Sequence, residues 1–131
     1  MLFRSAGPHV QFLGRLTDDE IRGEYRRAAA VLMPGEEDFG IVPVEAQACG
    51  RPVVALARGS AVETVVDGET GVLVAGTTPE AWAGALSRVS ALRVDVAALQ
   101  AHANRFSRER HATQMQQVIA ETLDAPVGTR W

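Results

Sequence analysis

Four short apolar runs, at 9–13, 31–33, 53–57 and 71–75, alternate along this chain with segments that carry helix signals. That alternation predicts a parallel, doubly wound α/β sheet. The helix signals are local and specific. Thr17-Asp18-Asp19-Glu20 and Ser60-Ala61-Val62-Glu63 have the spacing of capping boxes, in which a hydroxyl and a carboxylate satisfy each other's backbone N–H groups. The first of these opens a helix to about residue 30, with Ile21, Tyr25 and Ala28/Ala29 on its inner face. The second opens a brief helix that ends at Asp67-Gly68. Thr78-Pro79 starts a third, with Trp82, Leu86 and Val89 as its apolar stripe, and two more follow at 95–104 and 107–123. Ligands of such a sheet sit beyond the carboxyl ends of its strands, which singles out the loop 34–41 behind strand 31–33.

That loop contains Glu37-Asp38-Phe39-Gly40-Ile41-Val42-Pro43-Val44-Glu45, two carboxylates astride a Phe-Gly turn that opens a helix over 42–49. A helix start presents unpaired N–H groups and a positive dipole end, which suit a phosphate. A carboxylate accepts hydrogen bonds from sugar hydroxyls. Phosphate and hydroxyls together describe a sugar nucleotide. A plainer reading stands beside this one: Glu45 as an ordinary first-turn acid and Glu37 as a solvated loop charge.

The 131 residues suffice for one domain with a core, and a composition of 47% hydrophobic and 22% charged residues is that of a globular protein. A net charge of −3 gives no reason to expect nucleic acid as a partner. All 13 basic residues are Arg, which fits a GC-rich coding bias better than a function. Cys49 is the sole cysteine, so no intrachain disulfide is available, and a small buried thiol is expected rather than a nucleophile. No apolar run reaches the roughly 18 residues of a membrane span, so a cytoplasmic setting is the default. His9, His102 and His111 have no ligand spacing, and Asp18-Asp19 belongs to a cap, so no metal site is expected. Trp82 and Phe106 read as packing residues, and Arg105, Arg108 and Arg110 as a charged face, with a peripheral place at the inner membrane face as the alternative. Arg58 and Gly59, just past a strand's carboxyl end, are secondary candidates for a phosphate or sugar contact.

From about Val10 to Arg110 the chain resembles the retaining GT-B glycosyltransferases, in particular the large group called family 4. The resemblance rests on ordered motifs: Val-Gln-Phe-Leu-Gly-Arg-Leu at 10–16, Glu-x7-Glu at 37–45, Cys-Gly-Arg-Pro-Val-Val-Ala at 49–55, Glu63-Thr64-Val65, Asp67-Gly68-Glu69-Thr70-Gly71 and Phe106-Ser107-x-Glu109-Arg110. It implies the C-terminal, donor-binding domain of an enzyme that moves a hexose from a nucleoside-diphosphate sugar to an acceptor hydroxyl with retention. Glu37 would then hold the transferred hexose as the catalytic-site acid. The backbone at Phe39, Gly40, Ile41 and Val42 would face the diphosphate, and Glu45 would grip the ribose. No cofactor or metal is expected, the leaving diphosphate being stabilised by the helix dipole, backbone N–H groups and basic side chains. The block around Glu37 looks most like the mannosyltransferase branch, which makes GDP-mannose the leading donor and a UDP-sugar the other.

The resemblance also implies missing parts. The family's domain opens with two βα units, including a Gly-Arg turn and a Lys, that have no counterpart here; nor does the N-terminal acceptor domain. The expected organisation is therefore a disordered lead-in at 1–8, a partial nucleotide-sugar-binding domain at 9–124 and a tail at 125–131. The isolated chain is expected to be inactive, with a sugar or lipid-linked acceptor and the missing N-terminal domain as partners. A 2-epimerase or phosphorylase-like member of the same architecture is a rival enzyme. The rival from another class is a non-catalytic module that completes a site with a separate N-terminal chain. With the strand order 3-2-1-4-5-6, strand 9–13 would lack its neighbours. Two outcomes are open: pairing beside 31–33, or displacement that leaves an open sheet edge.

Overall fold

The structure, a computed structural model, describes residues 7–126. Three strands, β1 (Val31–Met33), β2 (Val53–Leu56) and β3 (Gly71–Val74), form one parallel sheet in the order β1-β2-β3. Val31, Val53 and Gly71 lie in one register row, and Leu32, Val54 and Val72 in the next. β2 is central and all four of its residues are buried. Its unbroken Val-Val-Ala-Leu sequence suits a strand covered on both faces.

Alternate residues of the sheet feed two cores. On one face Met33, Val53 and Ala55 pack with Ala46 of helix α2 (Ile41–Ala48) and Ala61 of helix α3 (Ala61–Thr64). Helix α1 (Asp18–Arg27) joins this face through Tyr25. On the other face Val54, Val72 and Val74 meet Ala85 and Val89 of helix α4 (Pro79–Ala91). The result is the expected α/β arrangement, helices on both sides of a parallel sheet. Each fully buried valine of these cores contributes about 1.5–3 kcal/mol. Helix α5 (Val96–Ala103) docks on α2, where Gln100 donates to the Ala48 carbonyl at 3.2 Å and Leu99 is buried. A 3-10 turn (Asn104–Phe106) leads into helix α6 (Arg108–Asp124), which has no buried residue.

Local chemistry explains most of the boundaries. The Thr17 capping box forms, with the Thr17 N–H donating to Glu20 Oε2 at 2.8 Å and Glu20 N–H to Thr17 Oγ1 at 3.4 Å. Thr78 accepts from the Ala81 N–H, with Pro79 in the first turn. Helix α2 ends in a Schellman motif: Gly50 N–H bonds the Gln47 carbonyl at 2.8 Å and Arg51 N–H the Ala46 carbonyl at 2.9 Å. Gly50 supplies the left-handed conformation this requires, at φ +75°.

Four expectations are corrected. Residues 9–13 form no strand; they are exposed, and among the described residues β1 is left as a sheet edge, the second of the two outcomes held open for this segment. The Ser60–Glu63 capping box does not form, because Ser60 has helical dihedrals (φ −64°, ψ −18°) and no cap hydrogen bond. The inner stripe of α4 runs through Trp82, Ala85 and Val89, whereas Leu86 points outward at 41% exposure. Cys49 is half-buried rather than buried. Gly7 and Pro8 of the expected lead-in belong to a turn closed by Val10 N–H on the Gly7 carbonyl, while residues 1–6 and 127–131 lie outside the described residues.

Candidate functional site

The carboxyl ends of β1 and β2 open into two loops that lean on each other. Residues 34–40 follow β1, and residues 57–60 follow β2. Ser60 N–H donates to the Glu37 carbonyl at 2.8 Å. Gly59 packs so closely that a Cβ there would come within 2.5 Å of the same carbonyl oxygen. The two loops therefore hold Glu37 by its backbone and leave its side chain exposed.

Gly40 ends the first loop as the N-cap of α2, in the left-handed region at φ 52° and ψ 61°, with no side chain capping the helix. The N–H groups of Ile41 and Val42 lie in the first turn and have no acceptor within the helix; Pro43, next in line, has no N–H to offer. Glu37, Phe39, Gly40, Ile41 and Val42 line one cleft of about 470 Å³ with residues 32–35. Phe39 is 84% exposed, so the backbone rather than the ring is fixed here.

Glu45 stands one helical turn beyond Ile41 and opens on a neighbouring cleft of about 320 Å³ between α1 and α2. The Tyr25 hydroxyl donates to its Oε2 at 3.2 Å. Burial, and then the Glu45 charge beside it, pushes the Tyr25 hydroxyl up to about 12. Half-buried Cys49 lines the same cleft. The structure thus gathers five of the six expected residues around one cleft and puts the sixth next door, both clefts being walled by α2. Arrayed along them are a carboxylate, free helix-start donors and a second carboxylate, groups able to engage hydroxyls, an anion and a diol in that order.

Some neighbours were not legible in advance. The Ser60 hydroxyl is buried without a partner and presses on Gly40, where a Cβ would stand 2.0 Å from its Oγ. Arg105, Phe106 and His111 share a cleft with Asp38, Gly40 and Ser60 on the far side of the loop. Gln47, fully buried in α2, donates to the Thr64 carbonyl at 2.8 Å, and His102 Nε2 reaches the same carbonyl at 3.1 Å. A carbonyl only accepts, so His102 carries its proton on Nε2 and serves packing. A buried tyrosine hydroxyl usually has a partner, which is the one sequence signal that could have pointed from Tyr25 to Glu45. Among the described residues no group of three or more His, Cys, Asp or Glu side chains could hold a metal ion, and no helix is long and apolar enough to cross a membrane.

Fold and site together define a parallel α/β domain with an uncapped helix start at the carboxyl edge of its sheet. Residues 2–110 match the family described as glycosyl transferases group 1, and the chain belongs to that family. It is 42% identical over 121 residues, 88% of its own length, to a D-inositol 3-phosphate glycosyltransferase of Salinispora arenicola, of which it covers 27%. The corresponding enzyme of Corynebacterium diphtheriae is 39% identical over 128 residues, covering 92% of the chain and 30% of the enzyme. Among solved structures, sucrose-phosphate synthase from Thermosynechococcus elongatus superposes with a TM-score of 0.79 at 32% identity, over 92% of this chain and 32% of that one. Anabaena HepE, determined in complex with UDP and glucose, gives 0.63 at 32% identity, over 88% and 32%. The chain thus spans less than a third of the relatives it matches.

Proposed function

We propose that this chain is the donor-binding part of a retaining, family 4-type glycosyltransferase that transfers a hexose from a nucleoside-diphosphate sugar to an acceptor hydroxyl. The observation that carries the reading is the uncapped start of α2 at Gly40, flanked by Glu37 in its own cleft and by Glu45 one turn on. In the mechanism this supports, the diphosphate lies on the Ile41 and Val42 N–H groups, where backbone dipoles stabilise the charge that grows as the glycosidic bond breaks. Glu37 accepts hydrogen bonds from the hexose hydroxyls and sets the sugar's orientation. Glu45 accepts from the ribose diol, and no metal is required of these residues. Of the two donors expected, a UDP-sugar has support from the UDP and glucose bound to HepE, while GDP-mannose rests on the sequence resemblance. The name of the D-inositol 3-phosphate glycosyltransferases supports a phosphorylated polyol as acceptor.

The test is a donor titration on the complete enzyme that carries this chain. Glu45→Ala is expected to weaken UDP binding by on the order of tenfold or more, as loss of a charged hydrogen-bond acceptor does. Glu37→Ala is expected to lower kcat with little change in donor affinity. If both variants keep the parent's affinity and rate, the assignment is wrong. The partner-module reading predicts instead that the chain alone binds donor without transferring it, and that transfer appears on mixing with a separate N-terminal chain.

A further inference from the structure

Glu45 is an exposed glutamate with three rotatable bonds, and a ligand that needed it in one place would have to freeze it. The structure shows it already held. Tyr25 Oη donates to Glu45 Oε2 at 3.2 Å across the α1–α2 cleft. The tyrosine is itself fixed from below, since its ring packs on the core around Met33, Ala46 and Val53. Helix α1 is secured at its start by the Thr17 capping box and near its end by the Arg51 guanidinium, which donates to the Arg26 carbonyl. The hydroxyl's position is therefore set by the sheet rather than by a loop.

The chemistry of this partner matters. The cation in the same cleft, Arg22, is engaged by Asp19 at 2.9 Å. A guanidinium on Glu45 would occupy both carboxylate oxygens and cancel the charge. A phenol takes one lone pair of about four and leaves the negative charge and the remaining acceptor sites open. Its hydroxyl, pushed up to about 12 by burial and by the Glu45 charge, stays a donor throughout the neutral range.

We propose that Tyr25 is a positioning residue of the nucleotide site, orienting the Glu45 carboxylate so that its free lone pairs meet both hydroxyls of a ribose. The proposal rests on the reading of Glu45 as the ribose acceptor. It makes α1 part of the donor site, although no residue of α1 need touch the ligand.

The experiment compares UDP with 2′,3′-dideoxy-UDP by calorimetry on the complete enzyme, for the parent, Tyr25→Phe, Glu45→Gln and the double variant. Thermal unfolding is recorded alongside. The parent is expected to favour UDP, and Glu45→Gln to abolish most of that preference. Tyr25→Phe is expected to reduce the preference on the order of fivefold, the size of one ordinary hydrogen bond. It should raise donor KM with kcat unchanged, and the double variant should bind no worse than Glu45→Gln. A purely structural tyrosine would weaken both nucleotides alike and leave their ratio intact. If Glu45→Gln lowers the ratio but Tyr25→Phe leaves it unchanged or raises it, the positioning role is overturned while the Glu45 reading stands. If Glu45→Gln leaves the ratio unchanged, the ribose reading falls and the role of Tyr25 falls with it.

Discussion

At residue scale the site turns on the contact between Gly40 and Ser60. Gly40 has φ +52°, a region that costs a residue with a Cβ about 1–2 kcal/mol. An added methyl there would also meet Ser60 Oγ at 2.0 Å and Ser60 Cβ at 3.2 Å. Ser60 cannot retreat freely, because its N–H is bonded to the Glu37 carbonyl. Gly40→Ala is therefore expected to destabilise the fold by about 2–5 kcal/mol, the sum of backbone strain and overpacking, in urea denaturation. Adding Ser60→Gly should recover the steric part and leave the strain. A double variant as unstable as the sum of the two singles would show that the contact is not the cause. The Glu-x7-Glu spacing was visible in the sequence, but the need for glycine at position 40 comes as much from the Ser60 loop behind it as from the phosphate expected in front.

At the scale of elements, the two capping-box patterns show what four residues can and cannot specify. Thr17 and Glu20 pair reciprocally as their spacing predicts, and α1 starts there. Ser60 and Glu63 have the same spacing, yet Ser60 turns its hydroxyl toward Gly40, because loop 36–40 claims its backbone from 23 positions upstream. The junction between β3 and α4 depends on a similar long-range tie. Asp67 accepts from the Leu73 N–H at 2.8 Å and from Arg88 of α4 at 2.8 Å. The Leu73 N–H first, and then Arg88, hold the Asp67 carboxyl below the usual carboxylate range. A carboxyl with a depressed folded pKa stabilises the protein above its unfolded pKa, about 3.9, and that contribution disappears as pH falls through the folded value. The parent is therefore expected to lose more stability between pH 5 and pH 3 than Asp67→Asn does (about those limits). Equal losses in urea titrations at the two pH values would rule the tie out as a source of acid sensitivity. The bond is largely solvent-exposed, so the effect is small.

At the scale of the whole molecule, the feature to explain is the open side of the sheet. Val31 N–H bonds the Pro52 carbonyl, so the backbone groups of Leu32 face away from β2. The Leu32 side chain is 48% exposed; it shares a register row with Val54 and Val72, which α4 covers. An uncovered apolar edge is a template for pairing with another strand. The chain by itself is expected to scatter more light with rising concentration than its Leu32→Lys variant, since a charge at an edge opposes pairing. Identical scattering would clear this edge of a role in association. Segment 9–13 forms no strand and, among the described residues, does not pair with this edge.

The alternation of strands and helices, the caps at Thr17 and Thr78, the end of α2 at Gly50 and the loop that carries the candidate site can all be read from the residues alone. These features are written in residues a few positions apart, because hydrophobic period, capping and turn chemistry act within about four residues. The fate of residues 9–13, the outward turn of Leu86, the hydroxyl of Ser60 and the bond from Tyr25 to Glu45 across 20 positions depend on the assembled fold. Each of those depends on which surfaces meet once the sheet has assembled, and packing between distant segments leaves no local mark in the chain.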